Sequence, residues 1–212
     1  MSDKYSNHAQ LAKFEKEGID YEIIVRAVPG TSIAIIAPHA GGIEPKTGPL
    51  AQQIAGEEFS AYCFRGKKAG GGNGVLHITS HHFDEPRCLE MISTHVRVVA
   101  IHGSDSPGEH VYIGGLDQEW IEAFHAALKA AGIDSRTDDH NYPGREPTNV
   151  CNRGATGKGV QFELTHALRN GPKAKIFADT VRSVLLTQLA ASPPPATVAP
   201  EAPSQSQGKN VH

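Results

Sequence analysis

Short apolar runs alternate with amphipathic segments along the first 190 residues. Five runs predict strands, over residues 21–28, 32–37, 75–79, 96–101 and 159–164. The run 32–37 is apolar on both faces, which is typical of a central strand that is covered on both sides, and the runs 75–79 and 96–101 are interpreted in the same way. The run 159–164 is a weaker example of the same type.

Three segments predict helices. Residues 7–17 end before Gly18, a common C-terminal stop. A second helix begins after Asp117, which has the side chain of an N-cap residue, and its apolar residues form one stripe. A third helix begins near Pro172, because proline suits the first turn. Strands that alternate with helices predict an α/β sandwich with a largely parallel sheet.

The last 21 residues have a different composition from the rest of the chain. Residues 192–212 hold five of the fourteen prolines and no Leu, Ile, Phe, Tyr, Trp or Met. Such a segment buries too little apolar surface to offset the entropy of ordering. We therefore predict one domain over residues 1–191 and a disordered Pro-rich tail over residues 192–212.

Charge and hydropathy exclude several classes of protein. The chain has 20 Lys and Arg against 23 Asp and Glu, a formal net charge of −3, which excludes a generally basic nucleic-acid binder. No apolar run approaches the roughly 20 residues that span a bilayer. The polar start lacks the apolar stretch of a secretory signal. We expect synthesis in the cytoplasm and no membrane partner, and the small size is compatible with a monomer.

Parallel sheets bind ligands beyond the carboxyl ends of their strands. In this chain, histidine and glutamate residues occur at two of the predicted strand ends. His39 and Glu44 follow the run 32–37, with two glycines between them, and His102 directly follows the run 96–101. Two imidazoles and one carboxylate form the ligand set of a hydrolytic zinc site, which leaves a fourth position for water. The alternative is that the three are unrelated polar residues of loops.

A second carboxylate lies inside the last predicted strand. Glu163 stands between apolar Phe162 and Leu164, and because strand side chains alternate, it shares a face with Gln161 and Thr165. A carboxylate there is costly unless something compensates it. Beside a zinc site it would be the general base that takes a proton from water. The alternative is a salt-bridged glutamate on an edge strand.

The segment HITSHHFDEP, residues 77–86, offers a rival metal site. His77, either His81 or His82, and Asp84 supply the right donor types. The alternative is that His77 packs within its strand while His81 and His82 lie at a polar rim.

Six sequence blocks in order resemble a known family. They are APHAGGIEP, HITSHHFDEP, VVAIHG, VYIGGLD, NVCNRG and GVQFEL. Together they resemble the phage-type poly-γ-glutamate hydrolases over about residues 5–168. The resemblance implies an open mixed, largely parallel β-sheet flanked by helices, similar to zinc carboxypeptidases, with one Zn²⁺ ion. It implies His39, Glu44 and His102 as zinc ligands and Glu163 as the general base.

The resemblance also suggests residues that contact substrate. Asn152 and Arg153 resemble the Asn-Arg pair that holds a substrate carboxylate in carboxypeptidases. In those enzymes the pair precedes the second zinc histidine, whereas here it follows His102, and the spacing from His39 to Glu44 is two residues longer. His82 matches the family pattern and is assigned to substrate contact or to support of a metal ligand.

We therefore expect a zinc-dependent hydrolase that cleaves the γ-glutamyl amide bonds of poly-γ-glutamate, an anionic polymer. Such a substrate needs a positive cleft despite the net charge. Loop residues that could supply it are Arg65, Lys67, Lys68, Arg145, Arg153 and Lys158. Two alternatives are a zinc amidase that acts on another amide, such as cell-wall peptide, and a non-catalytic module that binds the polymer. The resemblance further implies a phage setting, in which host lysis releases the protein and capsule polymer is degraded.

Overall fold

The computed structural model of the protein describes residues 3–191, which contain one mixed seven-stranded sheet. Its strands run in the spatial order β1-β3-β2-β4-β7-β5-β6. Their bounds are Tyr21–Arg26 (β1), Ile33–Gly41 (β2), Ser60–Gly66 (β3), Arg97–Ser104 (β4), His110–Gly115 (β5), Asp134–Arg136 (β6) and Gly159–Thr165 (β7). Strands β3, β2, β4 and β7 are parallel to one another. Strand β1 is antiparallel to its neighbour β3, and β5 is antiparallel to its neighbour β7. Strand β6 is parallel to β5.

Helices cover both faces of this sheet. They are His8–Leu11 (α1), Thr47–Ala55 (α2), Pro86–Ser93 (α3), Gln118–Ala130 (α4), His166–Asn170 (α5) and Lys173–Ala191 (α6), with short 3-10 turns at Asn73–Leu76 and Val150–Asn152. Apolar residues of α2, α4 and α6 share one core with the sheet, and those of α1 and α3 share the other. Within these described residues, no helix is both long enough and apolar enough to cross a membrane.

The central strands contain continuous apolar runs because they face two cores. In β2, Ile33 and Ile35 pack into the core beneath α2, α4 and α6, whereas Ala34 and Ile36 pack into the opposite core. The continuous apolar run of this strand therefore has a direct structural cause. The expected fold class, an open mixed, largely parallel sheet flanked by helices, is confirmed.

The main predicted elements are present. The runs 32–37, 96–101 and 159–164 lie in β2, β4 and β7, and the two long predicted helices are α4 and α6. Asp117 caps α4 as expected, because its Oδ1 accepts a hydrogen bond from the backbone N–H of Trp120 at 3.3 Å. The predicted tail, residues 192–212, lies outside the described residues.

Two predicted elements are wrong. Residues 75–79 are not a strand: residues 75 and 76 end a 3-10 turn, and residues 77–79 have no regular structure. Leu76 and Ile78 are buried in the core that α1 and α3 share with the sheet. The predicted helix 7–17 is shorter, since α1 stops at Leu11. The chain then turns so that buried Glu15 accepts a hydrogen bond from the Tyr5 hydroxyl at 2.6 Å and pairs with Lys68.

Candidate active site

Three neighbouring strands bring His39, His102 and Glu163 to one edge of the sheet. His102 in β4 lies directly opposite Glu163 in β7. His39 lies in β2 where the pairing register with β3 shifts between Ala37 and Ala40. Such an irregularity re-aims a side chain, and Pro38 favours it because proline has no N–H for the ladder.

The loop after β2 folds back and returns Glu44 to His39. The Glu44 N–H donates to the His39 carbonyl oxygen at 2.8 Å. Gly41 permits this turn, because its φ is +70° and a Cβ there would lie 2.4 Å from the carbonyl oxygen of Gly66. The Glu44 carboxylate then approaches His39 Nδ1 at 2.9 Å through Oε1 and accepts the Gly103 N–H at 2.8 Å through Oε2.

The hydrogen bonds of His39 fix its free ring nitrogen. Its Nε2 lies 2.8 Å from the carbonyl oxygen of Ile78, which can only accept, so Nε2 carries a proton, and in the neutral ring Nδ1 keeps the lone pair that could bind a metal ion. That lone pair faces Nδ1 of His102 at 3.1 Å. On the far side of the second ring, His102 Nε2 lies 3.4 Å from the Ser80 hydroxyl.

This donor set fits a zinc ion. Two nitrogen lone pairs repel each other at 3.1 Å unless a proton or a cation lies between them. Tetrahedral zinc with nitrogen ligands at their usual distance holds two ligand atoms about 3.3 Å apart. The observed separations, 3.1 Å between His39 and His102 and 3.7 Å between His102 Nδ1 and Glu44 Oε2, bracket this value. A zinc-binding imidazole also usually donates its other N–H to a carbonyl or carboxylate, as His39 does.

A third imidazole, that of His77, lies beside this set. Donor atoms of His39, Glu44 and His77 all lie within 4.8 Å of one another. His77 Nδ1 lies 2.7 Å from the carboxylate oxygen Oδ1 of Asp3, so Nδ1 donates and Nε2 faces Glu44 Oε1 at 3.9 Å. The other carboxylate oxygen of Asp3 accepts the Thr79 N–H at 2.6 Å, which fixes the segment that carries His77.

The rival metal set in residues 77–86 does not form. His81 and His82 are exposed, and their rings contact each other. The Asp84 carboxylate accepts the backbone N–H of His8 at 2.7 Å. Donor atoms of His81, His82 and Asp84 do not form a group of three with His77, which instead meets His39 and Glu44. His77 therefore belongs to the β2 site and not to a separate one.

The two carboxylates of the site have opposite pKa shifts. Burial raises the pKa of Glu163 to about 7; the positive fields of His102 and Arg169 oppose the shift, and the negative charge of Glu44 adds to it. Burial also opposes ionisation of Glu44, but the charge of His39 and hydrogen bonds from both histidines outweigh it and hold the Glu44 pKa well below its usual range. The pKa of His102 is raised, because Glu163 and Glu44 outweigh the effect of burial.

The raised pKa of Glu163 predicts a pH-dependent effect in the metal-free protein. The folded pKa is about 7 and the ordinary value is 4.5, so ionisation opposes folding above about pH 4.5, and the cost reaches its full size above pH 7. Glu163→Gln should therefore raise the free energy of unfolding by up to about 3 kcal/mol at pH 8 and by almost nothing at pH 4. Urea denaturation in the presence of a chelator, at pH 8 and at pH 4, measures both changes in the free energy of unfolding, and Glu119→Gln at an exposed position is the control. An equal gain at both pH values contradicts the prediction.

The site opens into a cleft of about 510 Å³. Besides the residues above, its walls include Ser104, Asp105, Tyr142 and Arg169, none of which the sequence analysis selected. Arg169 is 4% exposed and follows β7 in α5. The only sequence signal for it is its position just after a predicted strand end.

The predicted substrate-binding residues do not line this cleft. Asn152 is buried, and its amide donates to the carbonyl oxygens of Gly144 and Glu146 and accepts the Leu116 N–H. The structure thus gives Asn152 a structural role, because no group of its side chain is left for substrate. Arg153 is exposed and reaches the Phe83 carbonyl oxygen at 3.4 Å, beside exposed His82.

Several of the expected basic residues are paired elsewhere. Arg65 and Lys67 bind Glu22, and Lys68 binds Glu15 and Asp20. These pairs neutralise the cations away from the cleft. Arg145 lines a different, smaller cavity beside α4.

A sequence profile described as Poly-gamma-glutamate hydrolase matches residues 5–183. The chain belongs to the poly-gamma-glutamate hydrolase family. It is therefore an enzyme, and the resemblance found in its sequence is confirmed.

Two relatives of this family member come from Bacillus subtilis strain 168. The SPbeta prophage-derived UPF0714 protein YoqZ is 34% identical over 194 residues, which are 85% of this chain and 69% of YoqZ. UPF0714 protein YndL is 35% identical over 169 residues, which are 79% of this chain and 66% of YndL.

Two solved structures are similar to this poly-gamma-glutamate hydrolase family member. A bacteriophage poly-gamma-glutamate hydrolase matches with a TM-score of 0.85 and 29% identity, over 90% of this chain and all of that one. The zinc-free apo form of YndL matches with a TM-score of 0.82 and 30% identity, over 88% of this chain and 99% of that one. Both matches support the fold class described above.

Proposed function

We propose that this protein is a zinc-dependent hydrolase that cleaves the γ-glutamyl amide bonds of poly-γ-glutamate. One observation carries the proposal: two imidazole nitrogens and a carboxylate converge within 2.9–3.7 Å, beside a second buried carboxylate. This is the donor set of a hydrolytic zinc site together with a candidate base. The family to which the chain belongs supports the substrate.

We assign one zinc ion to His39, Glu44 and His102. His102 is a better third ligand than His77, because its Nδ1 lies 3.1 Å from His39 Nδ1 and its side chain is 1% exposed. The His77 side chain is 35% exposed and its ring is held by Asp3. A zinc ion bound there lowers the pKa of water towards neutrality and polarises the amide carbonyl.

Glu163 acts as the general base. It lies opposite His102 in the sheet, and burial brings its pKa to about 7, close to the value that serves proton transfer near neutral pH. Its carboxylate accepts the proton of the attacking water and then donates that proton to the leaving amine.

Arg153 and His82 are proposed to contact polymer that extends beyond the cleft. Arg153 donates to the carbonyl oxygen of Phe83, and the Phe83 ring packs edge-on against His39 with 6.2 Å between ring centroids. The loop that carries His82 therefore adjoins the site. Asn152 instead holds the backbone of residues 144–146 through its amide N–H groups.

The proposed setting follows the relatives. YoqZ is described as prophage-derived. This supports, for the present chain, synthesis in a host cytoplasm followed by release on lysis, where the hydrolase would degrade capsule polymer.

The proposal is tested by following polymer length. The purified protein with one equivalent of zinc should shorten poly-γ-glutamate on size-exclusion chromatography; a chelator should stop the reaction and added zinc should restore it. Unchanged length with zinc bound rejects the proposal. In that case, cleavage of cell-wall peptide would favour the amidase alternative, and binding of intact polymer would favour the non-catalytic module.

A further inference from the structure

The floor of the cleft contains a buried guanidinium group that is only partly paired. Arg169 Nε donates to the Pro45 carbonyl oxygen at 3.1 Å, and Nη1 donates to those of Ser104 and Leu164 at 2.6 and 2.9 Å. Across the described residues, Nη2 makes no hydrogen bond of this kind. Its counter-ion is Asp105, whose carboxylate lies 3.6 Å away and whose side chain is 95% exposed.

This arrangement leaves a buried positive charge with a weak partner. Burying a charge is costly unless it is paired and hydrogen-bonded. Three backbone carbonyls compensate one side of the guanidinium, while the Nη2 side faces Asp105 and the cleft, which Arg169 lines. An anion that enters the cleft would complete the pairing, because guanidinium binds carboxylates with strong, charge-assisted hydrogen bonds.

Three hydroxyl groups lie next to this guanidinium. The hydroxyl cluster consists of Ser104, Ser106 and Tyr142, with oxygen separations of 2.8, 2.9 and 3.3 Å. Three hydroxyl protons serve these three contacts, and the longest of them, 3.3 Å between Ser106 and Tyr142, is the one that a ligand oxygen would replace. Ser104 joins the two features, because its carbonyl accepts from Arg169 and its hydroxyl belongs to the cluster.

The same feature adjoins the candidate metal ligands. A Cβ added to Gly103 would lie 3.0 Å from the guanidinium carbon of Arg169 and 3.2 Å from Cβ of Glu44. Arg169 and Glu44 therefore flank Gly103, which directly follows His102. A ligand carboxylate on Nη2 would be held close to the bond that the site acts on.

We propose that Arg169 and the hydroxyl cluster form a carboxylate-binding subsite, which holds the α-carboxylate of the glutamate unit next to the cleaved amide bond. The inference rests on the proposed function and names the group of the polymer that the cleft recognises. The bound carboxylate displaces Asp105 from Nη2. The subsite therefore makes the protein bind γ-linked polyglutamate in preference to neutral amides.

The test compares two ligands of the zinc-loaded full chain: a short γ-linked glutamate oligomer with free α-carboxylates, and the same oligomer with neutral α-carboxamides. Dissociation constants are measured by calorimetry in a Glu163→Gln background, so that neither ligand is consumed. The free acid should bind at least tenfold more tightly than the amide. Tyr142→Phe should reduce this preference roughly fivefold, since it removes one donor to a charged group.

Two further variants separate binding from folding. Asp105→Asn should increase the preference about threefold, because it removes the competing anion from an exposed position. Arg169→Lys should abolish the preference if it folds; if thermal unfolding shows that it does not, Tyr142→Phe and Asp105→Asn decide. Arg182→Gln is the matched control, because Arg182 also donates to a backbone carbonyl, that of Ile54, but pairs with Glu58 away from the cleft.

Equal binding of acid and amide by the starting protein overturns the subsite, and so does an unchanged preference in both Tyr142→Phe and Asp105→Asn. These results are independent of turnover. If the protein fails to shorten the polymer but shows the predicted preferences, the proposed function is rejected and the subsite is retained. If it hydrolyses the polymer without these preferences, only the subsite is rejected.

Discussion

Glu163→Gln is expected to lower kcat for polymer hydrolysis about 10³-fold while the protein keeps its zinc. Glutamine has nearly the same size and can still accept the weak hydrogen bond from Gln161 Nε2 at 3.5 Å, but it cannot take a proton from water. Loss of a positioned general base typically costs 10²–10⁴-fold in rate, roughly. The rate is measured as release of new amino groups, and bound zinc by atomic absorption.

KM should change little in this variant, because Glu163 acts on the reacting water and the proposed carboxylate contacts lie on other residues. Glu119→Gln is the matched control, since Glu119 lies on α4 with a 74% exposed side chain. If Glu163→Gln keeps zinc and most of its activity, another group is the base. If it loses zinc, the carboxylate contributes to metal binding and its proposed role is wrong.

His102→Ala is expected to weaken zinc binding more than a hundredfold, whereas His77→Ala should weaken it less than tenfold. His102 Nδ1 lies within 3.1 Å of another ligand nitrogen, and its removal leaves two protein ligands. His77 lies 3.9 Å from Glu44 Oε1 and would act on the metal only through its neighbours, an effect that is usually smaller than the loss of a ligand.

Competition with a chromophoric chelator measures both affinities. His125→Ala serves as the control, because His125 bonds to Ser135 at 2.8 Å and is absent from the cleft lining. The reverse order, in which His77→Ala releases zinc and His102→Ala retains it, would assign His77 as the third ligand. Hydrolysis should follow zinc occupancy in every variant.

The sequence predicts the central strands of this fold well and its peripheral segments poorly. Strands β2 and β4 have two buried faces, so their apolar runs are unambiguous. The run 75–79 also contains buried apolar residues, Leu76 and Ile78, but this segment packs against the sheet instead of joining it. Burial produced the same pattern in both cases, so the pattern alone could not distinguish a strand from a covering segment.

The strand-end rule brought His39, Glu44, His102 and Glu163 together because parallel strands end at one edge of the sheet. It could not find Arg169, whose contribution depends on contacts with three carbonyls from separate segments. The same limit applies to Asp3, which lies 74 positions before His77 in the chain and meets it only in the folded protein.

Asn152 shows a second limit of the sequence. The residue has suitable chemistry for substrate, but the carbonyl oxygens of Gly144 and Glu146 and the Leu116 N–H engage the hydrogen-bonding groups of its amide. Sequence identifies a donor or acceptor, whereas only the folded chain shows whether a neighbour has already engaged it.

Strands β2, β4 and β7 lie in the interior of the sheet, with β1 and β6 at its two margins. Fraying of a marginal strand would therefore leave the candidate cation ligands in place. Occupancy then stabilises the native state by mass action, by about 1.4 kcal/mol for each tenfold excess of free ion over its dissociation constant. In a metal-poor solution, a zinc-dependent hydrolase of the proposed kind would lose both its activity and this added stability.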